Sequence, residues 1–116
     1  MKNNRRLGTQ KEQEAGRFLE AQGYRILEYN FYSQGGEIDI VAKDGAYLVF
    51  VEVKYRSSRR NGLPEDSVTM KKAKKIMYTA QYYLYSRNIP EDTPCRFDVV
   101  TILERECNLI RDAFQL

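Results

Sequence analysis

Four charged side chains stand within two otherwise apolar runs of the chain, and their residue types could support metal-dependent chemistry. Glu37 and Asp39 belong to the first run, and Glu52 and Lys54 belong to the second. Carboxylate oxygens are the hard ligands that Mg²⁺ and Mn²⁺ prefer. A divalent ion held by them can stabilise charge on a phosphate and activate water, which a lysine would orient or deprotonate. These residue types therefore point to phosphodiester hydrolysis.

The rest of the composition narrows the chemistry that is available. The chain has 116 residues and no histidine, which excludes Ser-His-Asp triads, Cys-His pairs and His-ligated zinc. Cys95 and Cys107 have no metal-ligand spacing and are expected to be free thiols. No stretch approaches the length of a membrane span, and the basic N-terminus lacks the apolar core of a signal peptide. We therefore expect a cytoplasmic protein without a membrane partner.

Periodicity predicts one α/β domain over residues 9–116, preceded by a flexible basic tail at 1–8. Thr9 and Glu12 form a capping box that opens a first helix, and Gly23 ends it. Met70, Ala73 and Met77 begin an apolar stripe typical of a second helix from about 68 to 87. Strands are predicted at 24–30, 37–43, 46–56, 96–103 and 108–114, with a mobile loop at 56–65. The order helix, three strands, helix, two strands indicates a mixed sheet flanked by helices.

The two middle strands are predicted to bring the charged residues together. Asp44-Gly45 is typical of a two-residue hairpin turn, which would place Asp39 opposite Phe50 and Glu37 opposite Glu52. Because side chains alternate between faces, Glu37, Asp39 and Val41 would share a face with Glu52 and Lys54. Asp39 and Glu52 then become diagonal neighbours. A bulge in either strand would break this register.

The charged patch has two interpretations before any resemblance is considered. In an apolar strand such charges are costly unless they are paired or bind a metal, and a divalent cation relieves repulsion among carboxylates. Alternatively, Lys54 bridges Glu52 and Glu37 in an ordinary surface ion-pair lattice.

Positive charge is concentrated around the second helix, although the net charge is only +3. Four lysines fall in its first two turns, where the helix dipole disfavours them. Bound phosphate would compensate, since helix N-termini and lysines both attract it. The alternative is a set of solvated lysines that cost little. The candidate nucleic-acid contacts are Arg56, Lys72 and Lys75.

At the level of motifs, the spacing of Asp39 and Glu52-Val53-Lys54 resembles the PD-(D/E)xK nuclease motif. The surrounding segments Gly36–Ala42, Val49–Arg56 and Cys95–Val100, with Gly23-Tyr24 and Ile110–Phe114, resemble the YraN-like family of bacterial proteins. This resemblance covers about Gly8 to Phe114. It implies a restriction-endonuclease-like fold, related to Holliday-junction resolvases.

The resemblance also implies roles for individual residues. Asp39 and Glu52 would bind Mg²⁺ or Mn²⁺, and Lys54 would be the catalytic lysine. Glu12 matches an acid that resolvase-like members place on the first helix near the metal, with Glu14 as a substitute. Asp98 belongs to the family signature without a catalytic role and is expected to pair with Arg96 or another basic group.

These inferences favour a Mg²⁺-dependent endonuclease acting on DNA, such as a junction or flap, and a two-fold dimer would suit cleavage of both strands. One rival is a non-catalytic nucleic-acid-binding module that keeps the nuclease scaffold. Another is an adaptor that uses its tyrosines for protein contacts, although ordinary amphipathic packing is the expected role of Tyr82, Tyr83 and Tyr85.

Overall fold

The computed structural model describes residues 9–56 and 69–115, so the predicted tail at 1–8 and most of the predicted loop at 56–65 lie outside the described residues. Five strands form one sheet in the order β1-β2-β3-β4-β5, with β3 and β4 parallel and every other neighbouring pair antiparallel. The elements are α1 (Gln10–Ala21), β1 (Arg25–Ser33), β2 (Gly36–Asp44), β3 (Tyr47–Arg56), α2 (Met70–Ser86), β4 (Cys95–Leu103) and β5 (Glu106–Ile110). The predicted α/β class and element order are confirmed.

The two helices cover opposite faces of the sheet. Ala15 and Leu19 of α1 pack on one apolar cluster, and Ile76 and Ala80 of α2 pack on the other. The central strands are therefore covered on both sides, which explains their apolar sequences. Within the described ranges, neither helix is long and apolar enough to cross a membrane.

The start and end of α1 follow the predicted signals. The backbone N–H of Thr9 donates to Glu12 Oε1 at 2.9 Å, and the N–H of Glu12 donates to Thr9 Oγ1 at 3.3 Å, so the capping box is present. Gly23, with φ of 99°, ends the helical segment. Gly16 faces the ring of Tyr29, and any side chain there would collide with the Tyr29 hydroxyl. This close approach fixes the height of α1 above β1.

The predicted register of the β2–β3 hairpin is wrong by two residues, because the turn lies one position further along the chain. Asp44 pairs with Tyr47, so the turn residues are Gly45 and Ala46, and Phe50 faces Val41 rather than Asp39. Gly45 takes φ of 61° at the first turn position, as a type II′ turn requires. Asp44 remains in the strand, where its carboxylate pairs with Arg96 at 2.7 Å.

Beyond Ile40 and Val51 the two strands separate. Residues 36–38 pair with β1, Asp39 has no ladder partner on either neighbouring strand, and residues 52–56 pair only with β4, so the predicted pairing of Glu37 with Glu52 is also wrong. We call this gap between residues 36–39 and 52–56 the fork. The fork interrupts the sheet between its two covering helices, so side chains from both faces can approach one point.

Side chains in β1 and β2 change faces at the fork. Ile38 and Val41 pack in the same cluster, under α2, although strict alternation would place them on opposite faces. On β1, Tyr29 packs under α1 and Phe31 under α2. The break falls at Asp39 and at Asn30, which adopts a φ of 55°. The predicted common face for Glu37, Asp39 and Val41 is therefore wrong, because an irregularity intervenes.

The last strand also differs from its prediction. It spans Glu106–Ile110 and not 108–114, because Glu104, with φ of 59°, allows a tight turn straight after β4. The residues after β5 pack without forming a strand: the N–H of Ala113 donates to the Phe97 carbonyl at 2.7 Å, and Phe114 stacks on Phe97.

Candidate metal centre and nucleic-acid interface

Asp39 lies at the point where the fork opens. Its Oδ2 accepts a hydrogen bond of 2.8 Å from the backbone N–H of Val53. In a continuous ladder that N–H would be satisfied by a backbone carbonyl of β2. The carboxylate of Asp39 thus takes the place of a backbone carbonyl in the ladder, and this bond fixes the carboxylate between β2 and β3.

Two further acids meet Asp39 there. One carboxylate oxygen from each of Glu12, Glu37 and Asp39 lies within 4.8 Å of the other two. Glu12 reaches the group from the first turn of α1, and Glu37 from the start of β2. The capping-box bond and a bond from Asn30 both fall on Glu12 Oε1, so this carboxylate keeps acceptor capacity.

Asn30 holds two of these acids in place. Its side-chain amide donates to Glu12 Oε1 at 2.8 Å and to Glu37 Oε2 at 3.0 Å. The left-handed backbone at Asn30 aims the amide at both carboxylates, and asparagine tolerates that conformation better than most residues. The sequence interpretation missed Asn30; a polar residue inside an apolar strand was the available signal.

The electrostatics of the group are unfavourable for a charged Asp39. Burial raises the pKa of Asp39 to about 8, and the negative charge of Glu52 adds to the effect, followed by those of Glu12 and Glu37. The hydrogen bond from Val53 acts in the opposite direction. Among the described residues, no lysine or arginine forms an ion pair with Asp39.

Glu52 lies on the α2 side of the fork and is only 6% exposed. Its Oε2 is 2.7 Å from the ammonium of Lys72 and 3.3 Å from that of Lys54. Lys54 therefore stands beside Glu52, as the motif implies. The three-carboxylate group contains Glu37, which had no assigned role, and does not contain Glu52, whose carboxylate pairs with Lys72 and Lys54.

The two lysines respond differently to their surroundings. Burial lowers the pKa of Lys54, and its contact with Lys72 adds to this, whereas Glu52 opposes it. Burial also acts to lower the pKa of Lys72, but the hydrogen bond to Glu52 raises it on balance. The charge of Lys72 near the start of α2 is thus compensated inside the protein by Glu52.

A cleft of about 480 Å³ joins the acids to the N-terminal end of α2. Asp39 and Glu52 line its floor, and Lys71, Lys72 and Lys75 line its wall. Thr69 caps the helix by accepting the N–H of Lys72 at 3.2 Å. Of the predicted nucleic-acid contacts, Lys72 and Lys75 line this cleft, whereas Arg56 ends β3 and its side chain lies outside the described residues.

Asp98 lies apart from this group, in a second polar cluster on the α1 side of the sheet. It is fully buried and accepts hydrogen bonds from Tyr24 Oη at 2.6 Å, from Arg96 at 3.0 Å and from the Asp112 N–H at 3.0 Å. Arg96 also pairs with Asp44. The expected partnership of Asp98 with Arg96 is confirmed, and its surroundings are those of a structural carboxylate.

Comparison with known proteins places the chain in a family. The model of the Uncharacterised protein family UPF0102 matches residues 11–102. A UPF0102 protein of Lachnoclostridium phytofermentans is 52% identical over 107 residues, covering 92% of this chain and 91% of that protein. UPF0102 protein STH1475 of Symbiobacterium thermophilum is 46% identical, covering 96% of this chain and 98% of its own length. A UPF0102 protein of Persephonella marina is 44% identical, covering 94% and 93%.

Each of these three relatives matches more than nine tenths of this chain, and the matches confirm the YraN-like part of the resemblance. The chain belongs to the uncharacterised protein family UPF0102.

Proposed function

We propose that this protein is a metal-dependent nuclease that hydrolyses phosphodiester bonds in DNA, including branched or otherwise structured DNA. One observation carries the proposal: three carboxylates converge at the fork, and two of them, Glu37 and Asp39, line a cleft that is also lined by three lysines. Acids and lysines arranged in this way suit a divalent cation and a phosphate side by side.

The donor set fits Mg²⁺ or Mn²⁺. All three groups offer carboxylate oxygens, and among the described residues no lysine or arginine lies within ion-pair distance of Asp39, although its charge still attracts the ammonium of Lys72. Glu12, Glu37 and Asp39 would hold the ion, with Glu52 close enough to Asp39 to influence its charge. When bound, the ion would stabilise negative charge on the scissile phosphate and acidify a water molecule.

The chain's own side chains would then orient the reactants. In hydrolysis, a water oxygen bonds to phosphorus while the bond to the leaving sugar oxygen breaks; the water gives up a proton, and the leaving oxygen takes up a proton. Lys54, held by Glu52 at 3.3 Å, would orient the water or stabilise the developing charge. Lys71 and Lys75 on the cleft wall would contact neighbouring phosphates.

A cleavage assay tests the proposal. Purified protein is incubated with junction, flap and linear DNA in Mg²⁺ or Mn²⁺, beside the variants Asp39→Asn and Lys54→Ala. Asp92→Asn, an exposed acid outside the fork, is the matched control. We expect metal-dependent cleavage by the wild type and the control, and a loss of at least about 100-fold in both fork variants. Equal cleavage by all samples, or none in any, contradicts the proposal.

A second function is favoured by one observation. Lys72 and Lys54 both approach Glu52 Oε2, and this internal neutralisation would suit a non-catalytic module that binds nucleic acid on the same scaffold. Calorimetry with Mn²⁺ separates the two functions. A nuclease should bind Mn²⁺, more weakly in Glu37→Gln and Glu52→Gln; a binding module should bind DNA in a salt-dependent way without Mn²⁺ affinity.

A further inference from the structure

One face of α2 exposes three tyrosines in a row. Tyr78, Tyr82 and Tyr85 are 60%, 47% and 80% exposed. The expectation of ordinary packing is confirmed for Tyr83, which is buried under the helix, and it is wrong for Tyr85. Tyr82 is half exposed, with its ring centroid 6.1 Å from that of Phe31. Because Tyr83 already provides the packing contact at this level of the helix, its neighbours turn outward.

The same face carries lysines at its N-terminal end. Lys71, Lys75, Tyr78, Tyr82 and Tyr85 follow one another at steps of four, three, four and three residues, which is the spacing of a single stripe along a helix. The stripe, which we call the Lys-Tyr stripe, extends over about 21 Å at 1.5 Å per residue. Its lysine end lines the cleft that contains Asp39 and Glu52.

A shallow slot accompanies the tyrosines. It has a volume of about 320 Å³ and is lined by Ser33, Gln34, Tyr78 and Tyr82. The ring of Tyr78 lies over Gly35, where an added Cβ would come within contact of the ring, so the turn between β1 and β2 fits closely against this aromatic face. Tyr82 and Tyr85 have ring centroids 6.4 Å apart at 38°. Tyr82 is therefore a neighbour of Tyr85 and shares the slot with Tyr78, so the three rings occupy one exposed surface with polar side chains beside it.

We propose that the Lys-Tyr stripe binds single-stranded nucleic acid, with phosphates on Lys71 and Lys75 and bases stacked on the tyrosines. Stacking on aromatic side chains combined with a basic track is how proteins hold single strands without reading their sequence. The proposal deepens the proposed function, because it assigns the fork a substrate that has an unpaired strand leading away from the cleavage position.

Charge distinguishes this ligand from a protein partner or a second copy of the chain. The helix Met70–Ser86 carries Lys71, Lys72, Lys74 and Lys75 and no acidic residue. A second copy packed through this face would offer these lysines no acid from α2, whereas a polyanion that also presents aromatic bases complements both halves of the stripe.

Fluorescence anisotropy with a labelled oligodeoxythymidylate of about 12 nucleotides tests the proposal. Divalent ions are chelated, so the binding result is independent of any cleavage and can fail or succeed separately from the proposed function. The test variant is Tyr82→Leu/Tyr85→Leu. Two controls accompany it. Tyr82→Phe/Tyr85→Phe keeps the aromatic rings, and Tyr47→Leu removes an exposed tyrosine that lies on β3, away from the stripe.

We expect Kd for the single strand to rise about tenfold or more in the leucine variant and to change less than about twofold in the phenylalanine variant and in Tyr47→Leu. For a duplex of equal length, the leucine variant should change Kd less than about twofold. An equal loss for both ligands, or no loss for the single strand, overturns the proposal. A wild-type dimer that the leucine variant converts to monomer in sedimentation velocity would assign the stripe to self-association and also overturn it.

Discussion

Asp98 on β4 and Asp39 on β2 are two carboxylates within the sheet, and they differ in what surrounds them. Asp98 is surrounded by donors: a guanidinium, a phenol and a backbone N–H. Asp39 has one backbone N–H and is surrounded by other acids. Both belong to recognisable sequence segments, so sequence alone does not separate them. The comparison teaches that two carboxylates removed from water can differ mainly in their neighbours, and we propose that donors mark a structural role and acids a functional one.

The largest expected effect of a single substitution comes from removing the compensated carboxylate. Asp98→Ala leaves Arg96 partly buried without its main partner, and we expect the free energy of unfolding to fall by about 3–5 kcal/mol. Urea denaturation followed by circular dichroism measures this change. Asp92→Ala, at an exposed acid, should change it by less than about 0.5 kcal/mol. A loss below about 1 kcal/mol for Asp98→Ala would remove the distinction between the two carboxylates.

Metal addition should act on the other carboxylate alone. At about 100 times its Kd, Mn²⁺ should raise the free energy of unfolding by about 2.7 kcal/mol, because it binds only the folded fork. Thermal denaturation of wild type, Asp39→Asn and Asp98→Asn measures the shift. Asp39→Asn should lose it, whereas Asp98→Asn, although less stable, should keep it. If Asp98→Asn lost the shift and Asp39→Asn kept it, the metal would bind at Asp98, which contradicts the account.

The pH dependence of stability should report the cost of ionising Asp39 in the folded protein. The pKa of Asp39 is about 8 in the folded protein, whereas the unfolded chain has the usual value of 3.8. Between these two pH values the folded protein keeps a proton on Asp39 that the unfolded chain has released. Stability of the metal-free protein should therefore fall as pH rises from about 4 to 8, by at most about 1.4 kcal/mol per pH unit. Asp39→Asn should flatten this slope. A slope that is unchanged in the variant would assign the pH dependence to other groups.

The smallest effect concerns the amide that positions two of the acids. Asn30→Gly preserves the left-handed backbone but removes the hydrogen bonds to Glu12 and Glu37. We expect the free energy of unfolding to fall by about 1 kcal/mol and the Kd for Mn²⁺ to rise severalfold. Denaturation and calorimetry measure the two quantities. Asn88→Gly, at an exposed left-handed asparagine after α2, is the matched control and should alter neither appreciably. Wild-type Mn²⁺ affinity in Asn30→Gly would show that Asn30 has no positioning role.

The elements could be predicted because their signals are local. The capping box at Thr9 and the apolar stripe of α2 need only neighbouring residues, and both elements form close to where periodicity places them. The charged residues of the apolar strands could be recognised as candidates for the same reason, since charge in such a strand requires an explanation.

The geometry of the fork could not be predicted from local signals. It depends on β3 pairing with β4 from Leu48 to Arg56 while its pairing with β2 stops at Val51, and on the paired irregularity at Asn30 and Asp39. The hairpin register was misjudged because Asp44-Gly45 resembles a turn, whereas Arg96 retains Asp44 in the strand. The pairing of Lys72 with Glu52 likewise depends on how α2 packs on the sheet.

The most direct test is the anomalous diffraction of crystals grown with Mn²⁺. If Glu12, Glu37 and Asp39 bind a cation, an anomalous peak should lie within about 2.5 Å of oxygens from Asp39 and from Glu12 or Glu37. At a saturating Mn²⁺ concentration, a fork without a peak, with the acids in their metal-free positions, would contradict the account.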